Sequence, residues 1–156
     1  MVGDGSYLML SSDIITSIQE GLKLVVVLLD NHGFACIHGL AGSCGEHNTF
    51  NQFRFRDPST GQLTGQSLPI DLAANAASLG AQVICPKDRV ELQAALEQAK
   101  RNDRTTVIVM EVDADSRVPS YESWWDVPVA AVSESQAVRE ARSEYERQRE
   151  RERWFV

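Results

Sequence analysis

The most informative stretch of this sequence is Leu24–Gly33, which reads Leu-Val-Val-Val-Leu-Leu-Asp-Asn-His-Gly. Its first six residues are all aliphatic and show no polar alternation. Such a run predicts a strand that is buried on both faces, the usual environment of a strand in a parallel sheet. The polar residues that follow would then lie at the carboxyl edge of the sheet, where α/β folds bind ligands.

Helices and further strands are predicted on both sides of this strand. A helix is expected from Ser11 or Ser12 to Gly21, with these residues on its buried face: Ile14, Ile15, Ile18 and Leu22. The predicted downstream elements are a helix over 71–79, a strand over 82–85, a helix starting near Asp88 with Glu91 in a capping box, and a strand over 105–112. This alternation predicts an α/β fold of three layers, a parallel sheet with helices on both faces.

The segment 31–69 is rich in Gly, Asn, Ser and Thr and is predicted to be a long loop. Loops of this length in a compact domain usually carry function. Within it, Asp57–Gly61 has the composition of a turn.

The predicted domain organisation has two parts. Residues 1–132 form the α/β domain, and residues 133–156 form a C-terminal helix and tail with alternating Arg and Glu. Gly3-Asp4-Gly5 normally closes a buried strand, yet almost no strand precedes it. We therefore expect the chain to be a fragment that lacks its first strands.

Composition narrows the class of protein. The chain has 156 residues, 43% of them hydrophobic, and 15 Lys+Arg against 22 Asp+Glu give a net charge of −7. That acidity argues against a nucleic-acid partner. The longest aliphatic run, 24–29, is far shorter than the roughly 20 residues of a membrane-spanning helix. Three cysteines at no framework spacing, and the absence of a signal-peptide pattern at the N-terminus, favour the reducing cytoplasm.

Two polar motifs are predicted to meet at the carboxyl edge of the sheet. Asp4 follows one strand and Asn31 follows the next, with helical sequence between them. In a right-handed crossover both strand ends reach the same edge. A carboxylate oxygen and an amide oxygen are ligands suited to Mg²⁺ or Ca²⁺, and backbone N–H groups of Gly5 and Ser6 are available for an anion. Either motif alone is more often a simple turn, but their joint placement predicts a metal-bridged diphosphate site.

The segment from Gly3 to Gly33 resembles the cofactor signature of thiamin-diphosphate-dependent enzymes, a Gly-Asp-Gly followed at a fixed interval by an Asn pair. This sequence has Asp30 in place of the first Asn and keeps the second as Asn31. The resemblance implies that thiamin diphosphate and Mg²⁺ are the cofactors. Asp4, the Asn31 side chain and the Gly33 carbonyl would bind Mg²⁺, while Gly3, Gly5 and Ser6 would complete the cofactor site.

A narrower resemblance covers nearly the whole chain. The sequence is similar to the C-terminal part of the trihydroxycyclohexane-1,2-dione hydrolase family of myo-inositol catabolism, in these segments: Gly3–Met9, Asp30–Phe34, Asn51–Arg56, Pro69–Ala73 and Tyr121–Val129. The last segment, which contains a tryptophan pair, is the most specific to that family.

This resemblance implies hydrolytic cleavage of a carbon–carbon bond in a cyclic polyol diketone, giving 5-deoxyglucuronate. In the superfamily the glutamate that activates the cofactor lies on a separate domain of a second subunit. No part of this chain corresponds to that domain, so the resemblance implies that N-terminal domains and a second subunit complete the site. The catalytic residues of this chain are therefore left unassigned.

Two other functions remain open from the sequence. One is a thiamin-diphosphate-dependent lyase or synthase that acts on a 2-oxo acid, like acetolactate synthase. The other is a domain that only binds a metal or a nucleotide, or only mediates assembly.

For several other residues, the sequence gives only weak support for a function. Cys36, His38, Cys44 and His47 match no zinc-site spacing that we would rely on. His32 and His38 could face a substrate, although His32 is equally compatible with a solvated turn. Arg54 and Arg56 share one side of an extended segment and are better explained as surface residues. Trp124 and Trp125 are expected to anchor the C-terminal segment to the core.

Overall fold

The computed structural model describes residues 1–46, 50–116 and 126–153. Four parallel strands form one sheet in the order β1-β2-β4-β3. The strands are β1 (Val2–Gly3), β2 (Val25–Asp30), β3 (Gln82–Ile84) and β4 (Thr106–Glu111). The predicted parallel sheet is therefore confirmed.

Six helices accompany the sheet in the described residues. They are α1 (Asp4–Leu10), α2 (Asp13–Gln19), α3 (Ala35–Ser43), α4 (Leu72–Ser78), α5 (Arg89–Arg101) and α6 (Gln136–Arg149). Within the same ranges, no helix is both long enough and apolar enough to cross a bilayer.

Alternate residues of β2, β3 and β4 pack into two different cores, so the sheet is covered on both faces. Leu28 and Val107 pack with residues of α1, α2 and α4 on one face. Ile108 packs with Ala95 and Ala99 of α5 on the other face. This period of two is what a strand between two helical layers requires, and the predicted three-layer α/β architecture is confirmed.

The first helical region differs from its prediction. Helix α1 begins at Asp4 itself, whereas the sequence placed the first helix after Ser11. Of the four residues expected on the buried face of the next helix, only Ile14 is fully buried, and Leu22 is 65% exposed. Helix α2 is short and ends before Gly21, which has a φ of +65°. Leu22 therefore lies beyond the helix, and Tyr7 of α1 contributes to the core instead.

The segment 31–69 is not wholly a loop, because it contains α3. No residue of this helix is fully buried, and its sequence contains two glycines. It therefore lacks the apolar periodicity that identifies a helix in sequence. The predicted turn at Asp57–Gly61 does form, with the Gly61 N–H donating to the Asp57 carbonyl at 2.8 Å.

The downstream helices begin as predicted. Asp71 caps α4 by accepting from the Ala74 N–H at 2.8 Å. Asp88 caps α5 by accepting from the Glu91 N–H at 2.8 Å, while Glu91 accepts from the N–H of Lys87 rather than from that of Asp88. The arrangement differs from a standard capping box in one bond: the Glu91 side chain accepts from the residue before the cap and not from the cap residue itself.

The C-terminal helix α6 has its own small core. Val138 and Tyr145 pack against Val129 and Cys44, which ties α6 to the end of α3. On the exposed side Glu144 pairs with Arg147, and Glu146 pairs with Arg142. Trp124 and Trp125, predicted as anchors, lie outside the described residues.

Lys23 links the start of β2 to the end of α5. Its ammonium group donates to the carbonyl oxygens of Lys100 at 2.7 Å and of Asn102 at 2.9 Å. A cation at a helix C-terminus stabilises the helix by about 0.3–1 kcal/mol. We expect Lys23→Met to lower the free energy of unfolding by about that amount in urea denaturation. The exposed Lys87→Met is the control, and equal losses in the two variants would contradict the capping role.

Candidate functional site

The candidate site lies where β1 and β2 end side by side. The two strands are parallel and Gly3 is in register with Leu29, so Asp4 leaves the sheet next to Asp30 and Asn31. The predicted convergence of Asp4 and Asn31 at one sheet edge is therefore present in the structure. All six residues predicted to bind the cofactor line a single cavity of about 340 Å³: Gly3, Asp4, Gly5, Ser6, Asn31 and Gly33.

The carboxylate of Asp4 is the centre of this site. Asp4 is 1% exposed. Its Oδ2 accepts from the N–H of Gly33 at 2.9 Å and from the N–H of Asn31 at 3.2 Å, and its Oδ1 accepts from the N–H of Gly5 at 2.7 Å. These three bonds fix the carboxylate and join the start of α1 to the turn after β2.

Burial raises the pKa of Asp4 above its usual value, because the charged form loses hydration. The hydrogen bonds from Gly33 and Gly5 act in the opposite direction, while the neighbouring Asp30 raises the pKa further. Asp4 and Asp30 are therefore two adjacent buried carboxyl groups, and their negative charges repel each other. A bound cation would relieve this electrostatic cost.

Asn31 and Gly33 supply two further oxygen atoms. The Asn31 Oδ1 atom is buried and has no hydrogen-bond partner among the described residues. Gly33 forms an antiparallel bridge with Gln52, in which the flanking bonds are made by the Phe34 N–H and the His32 carbonyl. The carbonyl of Gly33 therefore points away from residues 51–53, on the side of Asp4.

Glycine is required at two positions by close approach. A Cβ atom on Gly33 would lie 2.4 Å from the Asn51 carbonyl oxygen and 2.8 Å from the Gln52 Cα. A Cβ atom on Gly5 would lie 2.5 Å from the ring of Phe34. The first obstacle is backbone and cannot move aside easily, whereas the second is a side chain.

The donor set is hard oxygen throughout: a carboxylate, an amide oxygen and a backbone carbonyl. Such a set suits a small divalent cation that completes its coordination with phosphate and water. The orphaned amide oxygen of Asn31 is the observation that favours a bound group here, since buried polar atoms are normally paired.

Residues 1–110 match the family model described as "Thiamine pyrophosphate enzyme, C-terminal TPP binding domain". The chain belongs to this thiamine pyrophosphate enzyme family. The cavity lined by Asp4, Asn31 and Gly33 lies within the matched residues.

Two relatives of this TPP-binding domain share much of its sequence. It is 45% identical over 141 residues to the 3D-(3,5/4)-trihydroxycyclohexane-1,2-dione hydrolase of Clostridium botulinum (strain Eklund 17B / Type B), covering 90% of this chain and 22% of that protein. It is 43% identical over the same length to the hydrolase of that name from Bacillus thuringiensis (strain Al Hakam), with the same coverage. The chain thus spans about a fifth of the length of these relatives.

A solved structure supports the fold of the TPP-binding domain. The crystal structure of benzoylformate decarboxylase from Polynucleobacter necessarius superposes with a TM-score of 0.55 at 23% identity, covering 74% of this chain and 19% of that one. At this identity the likeness concerns the fold alone.

The other sequence candidates lie elsewhere or have structural roles. The guanidinium of Arg54 donates to the Gln52 side chain and the Gly65 carbonyl, and that of Arg56 donates to the Gly61 carbonyl, so both hold the loop together. Across the described residues, no three side chains of His, Cys, Asp or Glu gather as a metal site. The zinc alternative therefore finds no support there, and its fourth member, His47, lies outside the described residues.

Sequence reasoning missed two residues at the site. Phe34 packs against Gly5 and stacks edge-on with Phe53 at 5.8 Å. Glu111 ends β4 in register with Asp30, and its side chain lies 3.3 Å from the His32 ring. The only sequence signal for Glu111 was its position at the end of an apolar strand. Its contact with His32 depends on β2 and β4 being neighbours in the sheet.

Gly33→Ala is expected to disrupt the site through its backbone. The added methyl group would displace residues 51 and 52, which costs about 1–3 kcal/mol for overpacking. The displacement would also turn the Gly33 amide away from Asp4. We expect a lower unfolding temperature and weaker Mg²⁺-dependent binding of thiamin diphosphate. Gly42→Ala, where the added Cβ meets nothing within 4 Å, is the matched control. Equal behaviour of the two variants in calorimetry would contradict this account.

Proposed function

We propose that this chain is the diphosphate-binding part of a thiamin-diphosphate- and Mg²⁺-dependent enzyme that hydrolyses a carbon–carbon bond of 3D-(3,5/4)-trihydroxycyclohexane-1,2-dione, forming 5-deoxyglucuronate in myo-inositol catabolism. The observation that carries the proposal is the arrangement of Asp4, Asn31 and Gly33 around one cavity in a chain that is 45% identical to a hydrolase of that name.

Asp4, Asn31 and Gly33 are the proposed Mg²⁺ ligands. Asp4 would supply the charged oxygen, because its carboxylate is already oriented by three N–H donors. Asn31 would supply Oδ1, which is buried and has no hydrogen-bond partner among the described residues. Gly33 would supply its carbonyl, and its N–H holds Asp4 in place.

Gly3, Gly5 and Ser6 are proposed to receive the diphosphate through their backbone. Gly5 permits the close approach of Phe34, so the start of α1 and the start of α3 form the two walls of the cavity. The N–H of Gly5 already donates to Asp4 at 2.7 Å. Its proposed role therefore requires this N–H to be shared between the carboxylate and the diphosphate.

Thiamin diphosphate, when bound, supplies an electron sink for cleavage of a bond next to a carbonyl. The residues of this chain would hold its diphosphate end and so fix the position of the cofactor. We propose that further domains and a second subunit supply the activating glutamate and the rest of the pocket for the cyclic polyol diketone. The three unpaired cysteines are in keeping with a cytoplasmic enzyme.

Two measurements on the intact protein test the proposal. Calorimetry with thiamin diphosphate should show binding that requires Mg²⁺ and is lost in excess chelator. An assay of ring opening should show turnover of the cyclic diketone, with pyruvate as the competing substrate. Turnover of pyruvate alone would favour the 2-oxo acid lyase or synthase, and absence of cofactor binding would refute the whole proposal.

A further inference from the structure

His32 has an unusual backbone conformation in the middle of the candidate site. Its φ is +59°, and it is the one non-glycine residue with positive φ among the described residues. Only a few per cent of non-glycine residues adopt this left-handed conformation, with Asn, Asp and His enriched among them. His32 separates Asn31 from Gly33, so its backbone sets where the two proposed ligand residues lie relative to each other.

The side chain of His32 lies between two carboxylates. Nδ1 is 3.4 Å from Oδ1 of Asp30, and Nε2 is 3.3 Å from Oε1 of Glu111. Asp30 and Glu111 are direct register partners on the parallel strands β2 and β4. Like charges in opposed positions of a sheet repel, and His32 lies between the two: its ring Nε2 is at hydrogen-bond distance from Glu111, while its backbone N–H bonds to Asp30.

The backbone of His32 is held on both sides as well. Its N–H donates to Asp30 Oδ1 at 3.1 Å, and its carbonyl accepts from the N–H of Phe53 at 2.8 Å. The Asp30 side chain is 13% exposed, so this end of the bridge is firmly placed, while the Glu111 side chain is 81% exposed. His32 thus connects a largely buried carboxylate, through its backbone, to a solvated one, through its ring, across the ends of two strands.

We propose that His32 is a positioning residue for the cation site: by bonding Asp30 through its backbone N–H and Glu111 through its ring Nε2, it holds the left-handed turn that places Asn31 and the Gly33 carbonyl around the cation. This inference rests on the proposed function. If only the backbone conformation mattered, glycine would serve at least as well, because it adopts positive φ without steric cost. The bridge therefore predicts that His32→Gly weakens cation binding, whereas the backbone conformation alone predicts no loss.

The test measures thiamin diphosphate binding by the intact protein over a range of Mg²⁺ concentrations. Loss of groups that orient metal ligands typically weakens metal affinity about 10–100-fold. We expect His32→Gly and His32→Ala to raise the Mg²⁺ concentration for half-maximal binding about 10-fold. His32→Asn, which tolerates positive φ and keeps a polar group near Asp30, should fall between these variants and the wild type. At saturating Mg²⁺ the affinity of these variants for thiamin diphosphate should recover. A variant that is only misfolded would not recover its affinity.

Variants of Glu111 keep the inference testable if the His32 variants fold poorly. Glu111→Ala should raise the Mg²⁺ requirement about two- to threefold, and Glu111→Gln, which retains a hydrogen-bonding oxygen, should restore most of that loss. Equal effects of the two changes would mean that only the charge of Glu111 matters and would overturn the bridge. Wild-type binding by His32→Gly would overturn it too. Absence of binding by the wild type is a different result, which removes the proposed function and this inference with it.

Discussion

Asp4→Ala in the intact protein is expected to abolish Mg²⁺-dependent binding of thiamin diphosphate, with a loss of affinity of at least about 100-fold. A methyl group cannot coordinate a hard cation, and it leaves the N–H groups of Asn31 and Gly33 without their acceptor. The substitution therefore removes a proposed ligand and also loosens the turn that carries the other two proposed ligands. Isothermal titration with thiamin diphosphate, in the presence and absence of Mg²⁺, measures the effect.

Two further variants separate ligand loss from unfolding. Asp4→Asn keeps the shape of the side chain and one of its two oxygen acceptors but removes the charge, so it should perturb the fold less than Asp4→Ala and still bind the cation poorly. Asp13→Ala changes an exposed aspartate in the first turn of α2 and should bind normally. Retained Mg²⁺-dependent affinity in a folded Asp4→Ala protein would refute the assignment of Asp4.

The sequence was sufficient to predict the features that depend on strong local patterns. The aliphatic run before Asp30 predicted β2, and the apolar spacing around Ala95 and Ala99 predicted α5. The meeting of Asp4 with Asn31 followed from parallel-strand geometry, because consecutive parallel strands bring their carboxyl ends to one edge. Each of these predictions used a periodicity or a connection rule that local sequence determines.

The features that were missed depend on packing between distant segments. Helix α3 buries no residue completely, so its sequence carries no apolar stripe. The bridge from His32 to Glu111 needed the register of β2 with β4, which are separated in sequence by helices and another strand. The Gly33 requirement likewise came from Asn51 and Gln52, in a segment predicted only as loop.

The 156-residue chain on its own is expected to show no turnover of the cyclic diketone, even with saturating thiamin diphosphate and Mg²⁺. The chain aligns with about a fifth of its hydrolase relatives, and we propose that the activating glutamate lies on a different domain of a second subunit. General acid–base assistance contributes typically about 10²–10⁴-fold, and its loss adds to that from poor positioning of the cofactor.

Cofactor affinity should fall in the isolated chain as well, since only the diphosphate end would be held by Asp4, Asn31 and Gly33. The informative comparison is the isolated chain against the intact protein, each followed by ring opening and by calorimetry under the same conditions. Weak Mg²⁺-dependent binding without turnover would agree with a site divided between domains. Turnover by the isolated chain close to that of the intact protein would place the catalytic groups within these 156 residues.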